Sequence, residues 1–213
     1  MLIFSRQNLV LLSVPKTGST AYESALHTHA AISVTAPPDL KHSPVFRYNR
    51  FFRPMVERFV GPDADIVAVM RAPIAWLGSW YRYRSRDALA GHAQSTRALS
   101  FEDFVGGYCR GAQPPWARVG SQAKFLEPQR NGTRVTHLFR YEDAEGLRRF
   151  LERRLGVEIA PDTCNPSPWR DLVLSERVEA RLRRKYATDF ALYASIGRDG
   201  AYAFPVGDPP PDG

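Results

Sequence analysis

Residues 8–14 form a short apolar run that ends in Val14-Pro15-Lys16-Thr17-Gly18-Ser19-Thr20 and passes directly into a helically patterned stretch, residues 19–28. A strand that turns into a helix within a few residues leaves few arrangements open, because the helix must fold back onto the sheet that holds the strand. The same turn builds an anion cradle. The first N–H groups of a helix have no intrahelical acceptor and carry the positive end of its dipole. Gly18 lets a phosphate-sized group approach the backbone, and Lys16 adds a full charge. The order differs from the nucleotide-triphosphate loop G-x-x-x-x-G-K-[ST]: Lys16 precedes the only glycine, and Ser13 stands near the first-glycine position. The turn therefore points to an anion other than Mg-ATP.

The alternation continues along the chain. Residues 65–71 and 134–139 are bounded, β-branched and leucine-rich runs of the kind covered on both faces of a parallel sheet, and residues 31–35 form a fourth, weaker one. Helical patterning occupies residues 45–59, with Pro54 breaking or kinking it, then 74–84, and 142–155 closed by Gly156. From Ser175 to residue 194 the apolar residues Val178, Leu182, Tyr186 and Phe190 recur every four positions, a stripe read as packing. These elements predict an α/β fold with a central parallel sheet of about four to five strands flanked by helices. Residues 85–99 are polar and aperiodic, a surface loop placed to cover a substrate. One domain over residues 1–199 and a Pro-rich, extended or frayed tail over 200–213 follow.

A chain of 213 residues, 44% hydrophobic, buries one sizeable core. No apolar run approaches the roughly 20 residues of a membrane span, and Met1-Leu2-Ile3-Phe4-Ser5-Arg6 lacks the layout of a signal peptide, so a cytoplasmic protein is expected. Asn131-Gly132-Thr133 then reads as a turn rather than a glycosylation site. Cys109 and Cys164 match no metal or redox spacing and read as buried thiols. The net charge of +7 suits a polyanionic ligand. Arg82, Arg84 and Arg86, and Arg148, Arg149, Arg153 and Arg154, read as solvated helix faces. No nucleic-acid motif accompanies them.

Pro15-Lys16-Thr17-Gly18-Ser19-Thr20 resembles the 5′-phosphosulfate loop, P-K-[ST]-G-[ST]-[ST], of the sulfotransferases that use 3′-phosphoadenosine 5′-phosphosulfate (PAPS). Val69-Met70-Arg71-Ala72-Pro73 followed by Ser79-Trp80-Tyr81 resembles that family's 3′-phosphate segment, although its usual form is R-[DN]-P and Ala72 departs from it. Phe139-Arg140-Tyr141-Glu142-Asp143, Asn165-Pro166-Ser167-Pro168 and Asp189-Phe190-Ala191-Leu192-Tyr193 are weaker echoes in family order. The resemblance is to the carbohydrate-type, 2-O-sulfotransferase-like branch and implies a P-loop-like three-layer fold. It also implies PAPS as sulfuryl donor, no metal, and a small-molecule or carbohydrate acceptor.

On that reading residues Pro15, Lys16, Thr17, Gly18, Ser19 and Thr20 hold the phosphosulfate, and Arg71 and Ser79 hold the 3′-phosphate. Lys16 also stabilises charge on the leaving oxygen. His42, in Leu40-Lys41-His42-Ser43-Pro44, is the expected general base, because imidazole titrates near neutrality and the segment resembles the family's catalytic-histidine stretch. Glu23 stands in reserve. His27 and His29 favour a helix C-terminus, His92 lies in the loop, and His137, inside a strand, is expected in the core. Gln122, Ser167 and Trp169 are assigned near the adenine or acceptor. Two other readings keep the cradles: a small-molecule kinase with an altered phosphate loop, and a non-catalytic nucleotide-binding module.

Overall fold

The computed structural model describes residues 1–160 and 170–205. Cys164, Ser167, Trp169, the 165–168 echo and the run of prolines at 209–211 lie outside the described residues. Five strands, β1 Leu2–Phe4, β2 Leu9–Leu11, β3 Ile32–Ser33, β4 Asp65–Met70 and β5 His137–Arg140, form one sheet in the order β3-β1-β2-β4-β5. The sheet is mixed, not wholly parallel. β2, β4 and β5 pair in parallel, whereas β1 is antiparallel to both β2 and β3. Only three residues long, β1 is too short to show alternation, and a turn with Asn8 at φ 47° folds it back as a hairpin onto β2.

Side-chain alternation sorts the sheet into two apolar faces. Ile3, Val10, Ile66, Ala68, Met70 and Leu138 point to one, and Leu2, Phe4, Leu9, Leu11, Val67, Val69 and Phe139 to the other. The first face is covered by the helical segment 45–59, by α7 (Gln122–Leu126) and by α10 (Ala187–Ser195). The second is covered by α1 (Ser19–Leu26) and α8 (Ala144–Leu155), the latter capped by Asp143 and ended by Gly156 at φ 70°. A third apolar cluster joins α5 (Pro73–Arg84), α6 (Phe101–Tyr108) and α9 (Glu176–Lys185) beyond the sheet. No helix among the described residues is long and apolar enough to cross a membrane.

Several expectations change. The 45–59 helix is α3 (Val45–Arg47), a π-turn at Tyr48–Phe52 and α4 (Arg53–Phe59), so Pro54 sits in the first turn of α4, where its missing N–H costs nothing. The 175–194 helix breaks at Tyr186, whose ψ of 36° ends α9 and opens α10. Residues 200–204 are extended but not frayed: Leu138 N donates to Gly200 O at 2.9 Å, and Tyr202 Oη to Val135 O at 2.7 Å. Arg84 is not on a solvated face. It is buried, donating to Pro115 O and Arg118 O. His137 is half-buried rather than in the core, at 3.8 Å from Asp65. Gly132 forms the expected turn, its N–H donating to Gln129 O, and Cys109 is buried.

Candidate anion-binding site

The carboxyl ends of β2, β4 and β5 open to the same edge of the sheet, since the three run in parallel. In such sheets ligands bind outside the strand carboxyl ends. After β2 the chain turns through two left-handed residues, Lys16 at φ 66° and Gly18 at φ 74°. The conformation suits Gly18 and costs about 1 kcal/mol or more at Lys16. A Cβ on Gly18 would lie 3.1 Å from Tyr141 Cε2, so glycine is required for space as well as for φ. Thr17 Oγ1 donates to Val14 O at 2.8 Å, and Trp76 Nε1 to Pro15 O at 2.9 Å. Those two bonds fix the loop from below and from the side.

The consequence is a set of free donors. Gly18 supplies no side-chain cap to α1, and the amides of residues 16–20 find no acceptor among the described residues. Of the hydroxyls assigned to ligand binding, that of Thr17 is turned inward, Ser19 is half-buried, and Thr20 is exposed, accepting from Lys41 Nζ at 3.3 Å. Lys16 Nζ lies 3.2 Å above the centre of the Tyr83 ring and 5.0 Å from that of Trp80. Burial, followed by the charges of Arg86, Arg84 and Arg71, pushes its pKa down to about 7. Three guanidinium groups close enough to depress one ammonium make a favourable field for an anion.

After β4, Arg71 is held from a distance in sequence. The side-chain amide of Gln122 accepts from Arg71 N at 2.9 Å and donates to Arg71 O at 2.8 Å. Gln122 is only 1% exposed, and both ends of its amide are used, so it has no group left for adenine or acceptor. The N-terminus of its helix, α7, is capped in turn by buried Asp189 of α10, which accepts from Ser121 Oγ, Gln122 N and Ala123 N. Burial raises the Asp189 pKa, and these donors oppose the rise. Ala72, which lacks a capping side chain, donates its N–H to Glu142 Oε1 at 3.0 Å, and Tyr193 Oη holds the other oxygen of that carboxylate. The turn after β5 thus satisfies the Ala72 N–H, while α5 itself has no side-chain cap.

The Arg71 guanidinium stacks on Tyr141, 4.3 Å from the ring centre, and its Nε is buried with no hydrogen-bond partner among the described residues. Tyr141 therefore sits between Gly18 and Arg71 and brings the two cradles together. Ser79 is half-buried, without a partner among the described residues, and lies along the same α5 surface as Trp76 and Tyr83, three and four residues away. Sequence reasoning missed Trp76, Tyr83 and Tyr141. The first two stand with Trp80 at helical spacing on α5, a readable aromatic stripe; Tyr141 lies in the Phe139–Asp143 echo, which gave it no role.

The 38–42 segment packs against the loop. α2 (Pro38–Lys41) ends at His42, whose Nδ1 donates to Ser13 O at 2.7 Å. A carbonyl can only accept, so the bond fixes the proton on Nδ1 and leaves Nε2 as a proton acceptor. Burial and the charge of Lys41 lower the His42 pKa, against the opposing effects of Ser13 O and Glu23. Glu23 is buried and committed: Lys41 Nζ lies at 2.7 Å, Ser13 Oγ donates to it at 2.9 Å, and the Met1 amino group is at 3.6 Å. It is a structural anion rather than a spare base. Ser13, at the first-glycine position, has a side chain because that hydroxyl links the Met1 amino group to Glu23.

Comparison of the chain with protein families, with curated proteins and with solved structures gives no match in any of the three.

Proposed function

We propose that the chain is a sulfotransferase that moves a sulfuryl group from PAPS to a hydroxyl or amine acceptor and releases adenosine 3′,5′-bisphosphate. The observation that carries this reading is the pairing of two anion cradles across one tyrosine ring. The unpartnered amides beyond Lys16 and the Arg71 guanidinium, with its buried Nε unpartnered among the described residues, flank Tyr141. A ligand with phosphate at both ends of one ribose has use for both, and a nucleoside monophosphate for one. Bound PAPS would supply an activated sulfuryl group on a leaving phosphate.

The remaining chemistry falls to the chain's own residues. The amides of residues 16–20 would orient the 5′ end, with Arg71 and Ser79 on the 3′-phosphate. Lys16, already desolvated beside Tyr83, would take up a proton and leave the ring to neutralise charge on the bridging oxygen. His42, neutral near pH 7, would accept the acceptor's proton at Nε2 while Ser13 O holds Nδ1–H.

Calorimetry tests the reading directly. Adenosine 3′,5′-bisphosphate should bind without metal and about tenfold or more tighter than 5′-AMP, because charge-assisted bonds contribute about 1.5–3 kcal/mol each. Equal affinity for both, or stabilisation by Mg-ATP in place of the bisphosphate, would overturn it.

A further inference from the structure

Among the described residues, the large apolar side chains that remain exposed are not scattered. Tyr83 and Tyr141 belong to the site above and Val173 stands apart, whereas Leu40, Phe46, Phe51 and Phe59 follow one another along residues 40–59. Three phenylalanines are 48%, 62% and 79% exposed in turn. The segment's other side is fully used: Val45, Tyr48 and Val56 are buried against the sheet, with Phe52 and Met55 partly so. This is an amphipathic rod turned inside out, with a packed apolar face and a second apolar edge facing water. The π-turn between α3 and α4 contains Phe51, and such turns re-aim the residues that follow.

The charges around these rings narrow what can cover them. Between residues 45 and 59 stand Arg47, Arg50, Arg53 and Arg58 against Glu57 alone. Arg53 is paired with Glu57 at 2.6 Å, and Arg47 lies near Asp39, while Arg50 and Arg58 have no carboxylate partner among the described residues. Arg50 instead leans over Phe51, its guanidinium carbon 5.3 Å from the ring centre, as Arg47 does over Phe46 at 5.8 Å. A second copy docked symmetrically would bring this net-basic patch against the same net-basic patch, which is unfavourable. A partner protein of ordinary kind needs a shaped patch with a packed centre. Here the exposed rings are spread over residues 46–59, separated by four and seven intervening residues. A surface that is fluid, apolar a few ångströms down and negative at its face asks for no shape match: the rings insert, and the arginines stay at headgroup level.

We infer that residues 40–59 form a docking surface for an anionic lipid bilayer, on which the protein binds peripherally through Phe46, Phe51 and Phe59 with Arg50 and Arg58 at the headgroups. The inference does not depend on the function proposed above.

Vesicle flotation of the full chain tests it, with phosphatidylcholine vesicles and with equimolar phosphatidylcholine and phosphatidylglycerol. Binding is expected to the anionic vesicles and to be weaker on the neutral ones. The triple variant Phe46→Ser, Phe51→Ser, Phe59→Ser should lose about tenfold or more in partitioning, and Arg50→Glu with Arg58→Glu should lose the preference for anionic lipid. Because all five side chains are largely in water, both variants should melt at the wild-type temperature. A Phe51→Trp variant should show blue-shifted emission, quenched by brominated lipid. Absence of binding at low salt would overturn the inference. So would a triple variant that binds as well as wild type, which is electrostatic adsorption alone, or light scattering that shows a dimer abolished by the triple variant. Capture of an acidic protein in preference to vesicles, with the same Phe dependence, would replace the bilayer with that partner.

Discussion

The turn after β2 and the turn after β4 each present a cation at the same edge of the sheet, but they are built differently. The first is mostly local: its backbone geometry comes from Gly18 and from Thr17 bonding three residues back to Val14, with the bond from Trp76 to Pro15 O as a tie from outside. Its cation rests on aromatic rings with a depressed pKa. The second is assembled from far along the chain, with the Arg71 backbone clasped by Gln122 and its neighbour Ala72 held by Glu142. Its cation is stacked and fixed. A desolvated ammonium beside a stacked guanidinium suits the division of labour in the proposed function: one group to bind the ground state, one to act as charge develops.

That contrast predicts where each variant should act. Lys16→Ala should cost about 10²–10³-fold in turnover, the range for loss of one preorganised electrostatic group, with a much smaller change in bisphosphate affinity. Steady-state kinetics with PAPS beside calorimetry separates the two, and an equal loss in both would make Lys16 a simple binding residue. His42→Ala should lose about 10²-fold in turnover with PAPS affinity retained. In the wild type, turnover should fall as pH drops through a value below the ordinary 6.5, because burial lowers the His42 pKa. A limb at or above 6.5, or one that survives the substitution, removes His42 from the role.

Stability should show the reverse order. Gln122→Ala leaves two buried backbone groups of Arg71 unpaired and should cost about 2–4 kcal/mol, whereas Thr17→Ala removes one local bond and should cost about 1 kcal/mol. Urea midpoints at constant slope measure both, and equal losses would erase the distinction between a clasped turn and a self-made one. Arg71→Ala, on the fixed side, should remove the roughly tenfold preference for the bisphosphate over 5′-AMP while leaving 5′-AMP affinity unchanged. The smallest effect is a fraction of a proton. Lys16 has a folded-state pKa of about 7, below its ordinary 10.5, so between those values the free protein holds it partly neutral and an arriving anion raises its pKa. Bisphosphate binding at pH 8 should therefore take up protons, seen as a dependence of the calorimetric heat on buffer ionisation enthalpy. Proton release would contradict the parked-lysine picture.

The elements that were legible in the sequence share a property: their signal is carried by neighbours along the chain. β4, α1, α5 and α8 announce themselves by apolar runs, by helical spacing and, for α8, by Gly156 at its end. α6 was not foreseen, although Ser100 and Asp103, which form a capping box at its start, are a local signal. β1 and α7 were not legible, being three and five residues long. No periodicity develops over such lengths.

The sequence by itself determined the strand–turn–helix at Lys16–Thr20, the alternation that makes an α/β chain, and the presence of Arg71 at a strand end, because backbone sterics, glycine at positive φ and apolar period act over a few residues. Tertiary structure alone decided the rest. It set β1 antiparallel, put Tyr141 between Gly18 and Arg71, spent the Gln122 amide on the Arg71 backbone, tied Glu23 to Lys41, and buried Arg84 under carbonyls more than thirty residues away. A buried polar group must be paired, but the chain does not say with whom. Partner choice is settled only when the packed core brings distant backbone and side chains within about 3 Å.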